Sequence, residues 1–446
     1  MPVKVEPTPP LQGLSPAGGK PIVARFDGGL LSSDGGLLAL REVERRLGLA
    51  ERLAACIDDP RLPERVRHGV AEILRFRMLM IAAGYEDGND ADSLRHDPIF
   101  KLALDRLPDD AALCSQPTIS RLENLPGQRA LLRMARTMVE FYCGSFRQVP
   151  RRIVLDVDDT FDAVHGEQQL RLFNAHYDEY GFQPIVVFDG EGRPVAAMLR
   201  PAKRPSGREA RSFLRRLVRA IRGHWPRVEI LIRADSHYCA PEVLDFCRAE
   251  GLDFMLGVAP TTTLRRHVEA LERSTAAQRS GAGKLRRYKE FLDGAASWSR
   301  VERIIARVEV GPDGTDTRFV VTNLSNGAAR RLYERTYCKR GQAENHIKAW
   351  KRHLAADRTS CSRATANQFR LMLHTGAYWL MWSLRSLMPK RSFWRTAQFD
   401  TLRLRLLKIA AQVATLKSRV MLHLPSACPY QSVLRLALGR MPRLVS

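Results

Sequence analysis

Ile153-Val154-Leu155-Asp156-Val157-Asp158-Asp159-Thr160 carries the reading of the fold. Four β-favouring apolar residues alternate into two carboxylates spaced by two, which places Asp156 and Asp158 on one face of a strand and Asp159 on the other. A second run, Ile230-Leu231-Ile232-Arg233-Ala234-Asp235, is again a buried strand that ends in an acid. Between them lie two short apolar runs, residues 183–188 and 194–199. They are joined by Asp189-Gly190-Glu191-Gly192, a hairpin turn sequence. Ser206-Gly207-Arg208-Glu209 has the form of a capping box and opens a helix to about residue 222. Residues 241–249 read as a helix and 253–258 as a strand. The order is β-β-β-α-β-α-β, three antiparallel strands and then alternating helices and parallel strands. That is the order of a ribonuclease-H-like α/β fold, in which the strands ending in Asp158 and Asp235 are neighbours at the sheet centre.

A third segment completes the acids. In Tyr337-Cys338-Lys339-Arg340-Gly341-Gln342-Ala343-Glu344-Asn345-His346-Ile347-Lys348-Ala349-Trp350-Lys351, a regular helix of about 100° per residue would put Arg340, Glu344 and Lys351 at roughly −60°, −20° and −40° from Tyr337, with Lys348 near +20°. One face is then expected to present a phenol, a glutamate and three cations. Arg340 and Glu344 are also an i,i+4 pair, and such pairs often only decorate a helix surface. Asp at a strand end often caps the next turn as well, so each acid taken alone has an ordinary explanation. Together they suit a different purpose. Three carboxylates from separate elements can hold two hard divalent ions, Mg²⁺ or Mn²⁺, at a phosphodiester, whereas without a cation they repel one another.

Composition supports a polyanionic partner. The 446 residues carry a formal charge of +23, and 45% are hydrophobic, enough for real cores in two or three domains. Residues 327–446 contain 23 Lys+Arg against 4 Asp+Glu, a net of +19, leaving +4 for the other 326 residues. Charge alone would also suit a ribosomal or membrane-surface partner. A carbohydrate substrate fits it poorly. The eight cysteines are scattered, with no C-x-x-C spacing, and read as reduced thiols of a cytoplasmic protein rather than as zinc ligands. The N-terminus lacks the apolar stretch of a signal peptide. The longest apolar stretch, residues 371–384, is too short to span a bilayer.

Six regions are expected. Residues 1–20 form a flexible Pro/Gly-rich arm. Residues 21–150 form a helical DNA-binding or dimerisation region. Residues 151–259 begin the core, 260–326 form a β-rich insertion with a hairpin about Gly311-Pro312-Asp313-Gly314, and 327–363 bring the Glu344 helix. Residues 364–446 form a basic helical region. Within the second region, Ser115-Gln116-Pro117-Thr118-Ile119-Ser120-Arg121 is a candidate phosphate-binding helix start, part of a helix-turn-helix reader or simply a capped helix.

With these residues in view, the chain resembles the bacterial insertion-sequence DDE transposases that carry a Y-(2)-R-(3)-E-(6)-K signature, here Tyr337, Arg340, Glu344 and Lys351. It is most similar to insertion-sequence family thirteen-eighty, from the segments Leu155–Thr160, Arg233–Tyr238 and 115–124. The resemblance implies Asp158, Asp235 and Glu344 as catalytic and metal-binding acids, with Asp156 the alternative for the first. It implies Mg²⁺ (or Mn²⁺), two ions, cleavage at terminal inverted repeats and transfer of 3′-OH ends into target DNA. Tyr337, Arg340, Lys348, Lys351 and Arg121 are then the expected DNA contacts, and Trp298 is either a base-stacking residue or an ordinary turn residue. The expected partner is double-stranded DNA bound by a homodimer near the nucleoid. A nuclease without strand transfer and a non-catalytic DNA-binding regulator are the competing readings.

Overall fold

The computed structural model describes residues 9–281 and 283–441. Residues 1–8 of the expected arm and 442–446 of the expected C-terminal region lie outside the described residues. The chain divides into two compact units, one of residues 123–375 and one of residues 1–122 with 376–446.

The unit of residues 123–375 is built on an eight-stranded sheet. Its strands are β1 (Arg152–Asp159), β2 (Ile185–Asp189), β3 (Pro194–Met198), β4 (Glu229–Ala234), β5 (Asp253–Val258), β6 (Leu285–Asp293), β7 (Glu302–Gly311) and β8 (Gly314–Thr322), in the spatial order β6-β7-β8-β5-β4-β1-β2-β3. β1 is central, and Ile153, Leu155 and Val157 are buried. It runs antiparallel to β2, which turns through a hairpin into β3. It runs parallel to β4, and β4 parallel to β5. Parallel neighbours need crossovers, and the helices Gly207–His224 and Pro241–Ala249 supply them. This is a ribonuclease-H-like core. The hairpin turn at Gly192 needs a left-handed residue, φ +80°, and a Cβ there would sit 2.4 Å from the His346 ring.

The first helix starts where the capping sequence places it, with the Ser206 hydroxyl accepting from the Glu209 N–H at 3.2 Å. Glu209 pairs with the buried Arg200, Nε to Oε1 2.9 Å, and takes a hydrogen bond from the Ser206 backbone, the reciprocal half of the capping box; the Arg200 bond leads in holding its carboxyl below the usual range.

The stretch 260–326, expected as a β-rich insertion, mixes a helix with its strands. It contains the helix Thr262–Gln278, capped by Thr261, and then β6, β7 and β8. The expected hairpin forms, with Gly311 opposite Gly314. β8 pairs with β5, so these strands extend the central sheet. A small sheet of Asp162–Ala163, Glu179–Phe182 and Leu172–Asn174 leaves the chain just after β1; its strands are too short for alternation to reveal.

The other unit contains the helix Leu37–Leu47, which buries Leu37, Leu40 and Val43, and the helix Val70–Ala83, which buries Ile73, Leu74 and Phe76. The C-terminal part is not all helical. Ala411–Leu416 and Arg419–His423 form a hairpin, and Leu31–Ser32 pairs with its first strand. Among the described residues no helix is long and apolar enough to cross a membrane.

One buried ion pair fixes the core beneath the acids. Asp156 and Arg233 face each other in the β1–β4 register, and Arg233 donates Nε and Nη2 to the two carboxylate oxygens at 2.7 Å each. Its Nη1 donates to the Thr336 carbonyl at 2.5 Å. One guanidinium therefore joins β1, β4 and the segment leading to Glu344. Asp156→Ala, which leaves Arg233 buried without its carboxylate, is expected to cost about 3–5 kcal/mol in urea unfolding. Asp156→Leu with Arg233→Met is expected to recover most of that loss, because an apolar pair needs no desolvation of charge.

Candidate active site

Parallel register brings the first two acids together. Val157 pairs with Ala234, so the next residue along each strand is Asp158 and Asp235. Asp158 is buried and Asp235 half-buried. Both address one cation: Arg340 Nη2 lies 2.9 Å from Asp158 Oδ2 and 3.9 Å from Asp235 Oδ2. Burial pushes the Asp158 carboxyl up to about 7; Arg340 pulls it down, while Asp235 and Asp159 push it further up. Burial works against the charge on Arg340, yet the fields of Asp158, Tyr337, Asp235 and Glu344 hold its pKa above the ordinary arginine value.

Glu344 is exposed on the helix Gly341–Lys348. Among the described residues no three His, Cys, Asp or Glu side chains lie close enough together to hold a metal ion. Glu344 is thus within electrostatic reach of the Arg340 that joins the aspartates, but outside a preformed three-acid cage. Asp158 and Asp235 offer hard oxygen donors on either side of a cation, a donor set that fits a divalent ion of the Mg²⁺ type. Asp156 is taken up by Arg233. Asp159, on the opposite strand face, accepts from Gln183 Nε2 at 2.7 Å and meets His237 Nδ1 at 3.2 Å. Burial opposes its charge, but the bonds from His237 and Gln183 outweigh that and hold its carboxyl below the usual range.

The single helical face expected for Tyr337–Lys351 does not form, because the segment is not one regular helix. It runs as π-helix Leu332–Tyr337, 3₁₀-helix Cys338–Arg340, α-helix Gly341–Lys348 and π-helix Ala349–His353. Each change of winding shifts the phase. Tyr337 packs beside Tyr333, ring centroids 5.7 Å apart, with its hydroxyl 3.5 Å from the Ala234 carbonyl oxygen. Gly257 on β5 leaves room for it: a Cβ there would stand 2.9 Å from that hydroxyl. Lys351 points inward, its Nζ 2.8 Å from Asp162 Oδ1, 3.1 Å from Thr160 Oγ1 and 2.5 Å from the Phe161 carbonyl oxygen. Asp162 is fully buried, and burial raises its carboxyl to about 7 against the pull of Lys351. Lys348 is exposed.

Arg121 lies in the other unit, exposed on the helix Gln116–Glu123, and donates to Thr118 Oγ1 at 3.2 Å. Trp298 is half-buried in the β6–β7 connection, its N–H bonded to the Ala295 carbonyl. Sequence reasoning missed His237 and Asp162 as members of the site. Both lie within four residues of a quoted aspartate, so proximity to the strand ends was the available signal.

The raised Asp158 carboxyl gives a pH signature. Its folded pKa lies above the unfolded value, so the folded state binds the extra proton and stability falls as pH rises from about 4 to about 7. Asp158→Asn lacks this group. Relative to wild type, the variant is expected to gain stability across that window, by up to about 1.4 kcal/mol per pH unit, in metal-free thermal unfolding.

A solved structure of the piggyBac transposase synaptic complex with hairpin DNA aligns with a TM-score of 0.41 and 12% identity, covering 92% of this chain and 86% of that one. None of the curated proteins matches the sequence. The family described as transposase DDE domain group 1 matches over residues 14–446, nearly the whole length. The chain belongs to the DDE transposases of that group.

Proposed function

We propose that this DDE transposase cleaves DNA at the terminal inverted repeats of an insertion sequence and joins the freed 3′-OH ends to target DNA, with Asp158, Asp235 and Glu344 as its catalytic acids. The observation that carries this reading is the placement of Asp158 and Asp235 on either side of Arg340 at the ends of two adjacent parallel strands. Two carboxylates so placed need a cation, and an arginine at that point supplies one that can exchange.

Asp158 and Asp235 would hold divalent ions, Mg²⁺ or Mn²⁺ and two of them, with Glu344 drawn in from the exposed face of its helix. When bound, the ions supply positive charge to both the attacking and the departing oxygen of an in-line displacement. In the first step a water oxygen forms a bond to phosphorus while the P–O3′ bond breaks, leaving a 3′-OH and a 5′-phosphate. In the second the 3′-OH oxygen forms a bond to a target phosphorus and a target 3′-oxygen leaves.

Arg340, released from the aspartates, is placed to meet the phosphate that enters with the ions, and guanidinium geometry suits it. Exposed Lys348 adds charge on the same helix. Arg121 contacts DNA from the helical region of the other unit. Tyr337 and Lys351 act from inside, holding the Glu344 segment against β4, β5 and the turn after Asp159. The element is of the insertion-sequence type named above, and a dimer on paired DNA ends is the form in which it works.

In Mg²⁺, purified protein is expected to nick DNA carrying its element ends, read on a denaturing gel. Glu344→Gln is expected to bind the same DNA with wild-type affinity in a gel-shift assay while cleavage falls on the order of 1,000-fold, the scale of losing a principal electrostatic element of a transition state. Cleavage by Glu344→Gln at the wild-type rate removes Glu344 from the site.

A further inference from the structure

The helix Gly207–His224 buries one face and leaves the other strongly charged. Ala210, Leu214, Leu217, Val218 and Ile221 turn inward. Arg208, Arg211, Arg215, Arg216 and Arg219 are exposed, and among the described residues none of the five is in an ion pair. Their neighbours show that this is a choice of sequence. Arg222, one turn further, pairs with Glu250 at 3.1 Å, and the only acid on the helix, Glu209, is given to Arg200.

Four of the arginines line up. At about 100° per residue, Arg208, Arg211, Arg215 and Arg219 fall within roughly 80° of arc and extend about 16 Å along the axis. Like charges three and four residues apart destabilise a helix, so the row works against folding. An anionic partner would offset that cost. The row also starts beside the candidate active site. Arg204, just before the cap, donates Nη2 to the Ser236 carbonyl at 2.6 Å, and Ser236 follows Asp235. Gly207 abuts the loop that follows: a Cβ there would stand 2.8 Å from Ala240 Cβ.

We propose that Arg208, Arg211, Arg215 and Arg219 form a track for the phosphodiester backbone of duplex DNA running away from Asp235. Phosphates recur about every 3.4 Å of axis along one strand, so a row of this length faces four or five of them. Guanidinium forks suit phosphate oxygens. A lipid surface is a poor fit, because the apolar face that would enter it is already buried in the protein core. The choice of DNA as the anion rests on the proposed function, whereas the track itself is tested by binding alone.

The test uses the full chain with Arg208, Arg211, Arg215 and Arg219 all replaced by Gln, and a parallel variant with all four replaced by Lys. Affinity for a mixed-sequence DNA duplex is measured across a salt series. The Gln variant is expected to fold with an unfolding midpoint at or above wild type and to lower the slope of log affinity against log salt by about 3–4, while the Lys variant keeps the wild-type slope. A well-folded Gln variant with an unchanged slope overturns the track. So does a Gln variant that loses only self-association in sedimentation, which would make the row a protein contact. The expected slope difference between wild type and the Gln variant, together with wild-type protein that never cuts its element ends, leaves the track standing and removes the proposed function instead.

Discussion

Two carboxylates at the ends of adjacent parallel strands cannot both stay charged without a cation between them. This constraint organises the catalytic unit. The β1–β4 register forces Asp158 and Asp235 into neighbouring positions, and burial of Asp158 removes the water that would screen them. Arg340 answers the constraint from within the chain. Its carboxyl partner Asp158 is still raised to about 7, so one guanidinium does not fully compensate the pair. A divalent ion brings more charge in less volume, and hard oxygen ligands favour it.

The acids lie on three segments far apart in sequence, and two inward-facing charges, buried Arg233 and half-buried Lys351, tie those segments together. Arg233 spans β1, β4 and the Thr336 carbonyl. Lys351 closes the far end of the Glu344 segment on Asp162, Thr160 and the Phe161 carbonyl, within four residues of Asp158. Between these ties the winding changes from π to 3₁₀ to α and back to π. Such irregular turns are frequent at functional sites, and here they let Tyr337 face the core while Arg340 reaches Asp158 and Glu344 faces solvent.

Much of this was legible in the sequence because burial leaves a mark. The runs ending in Asp158 and Asp235 are apolar and β-branched, their separation by hairpin and helix signals fixes the strand order, and parallel register then aligns the acids. What was not legible depends on phase and pairing. A 100° projection cannot foresee a π turn, so it places Tyr337 and Lys351 on a shared surface they do not occupy. The short strands 162–163 and 172–174 offer too few residues for a period. The net charge of the first 326 residues, only +4, hid an arginine row, because acids elsewhere in the fold cancel it in the sum but not in space.

The proposed activity turns on an exchange in which the guanidinium between the aspartates would give way to divalent ions that Glu344 would help to hold. A crystal of the protein with its DNA, soaked in Mn²⁺ and measured at the manganese absorption edge, tests it directly. The expected result is an anomalous peak in contact with Asp158, Asp235 and Glu344 carboxylate oxygens, with Arg340 moved off Asp158 onto a phosphate. Manganese bound away from these carboxylates, with Arg340 still seated between Asp158 and Asp235 in the DNA complex, would contradict it.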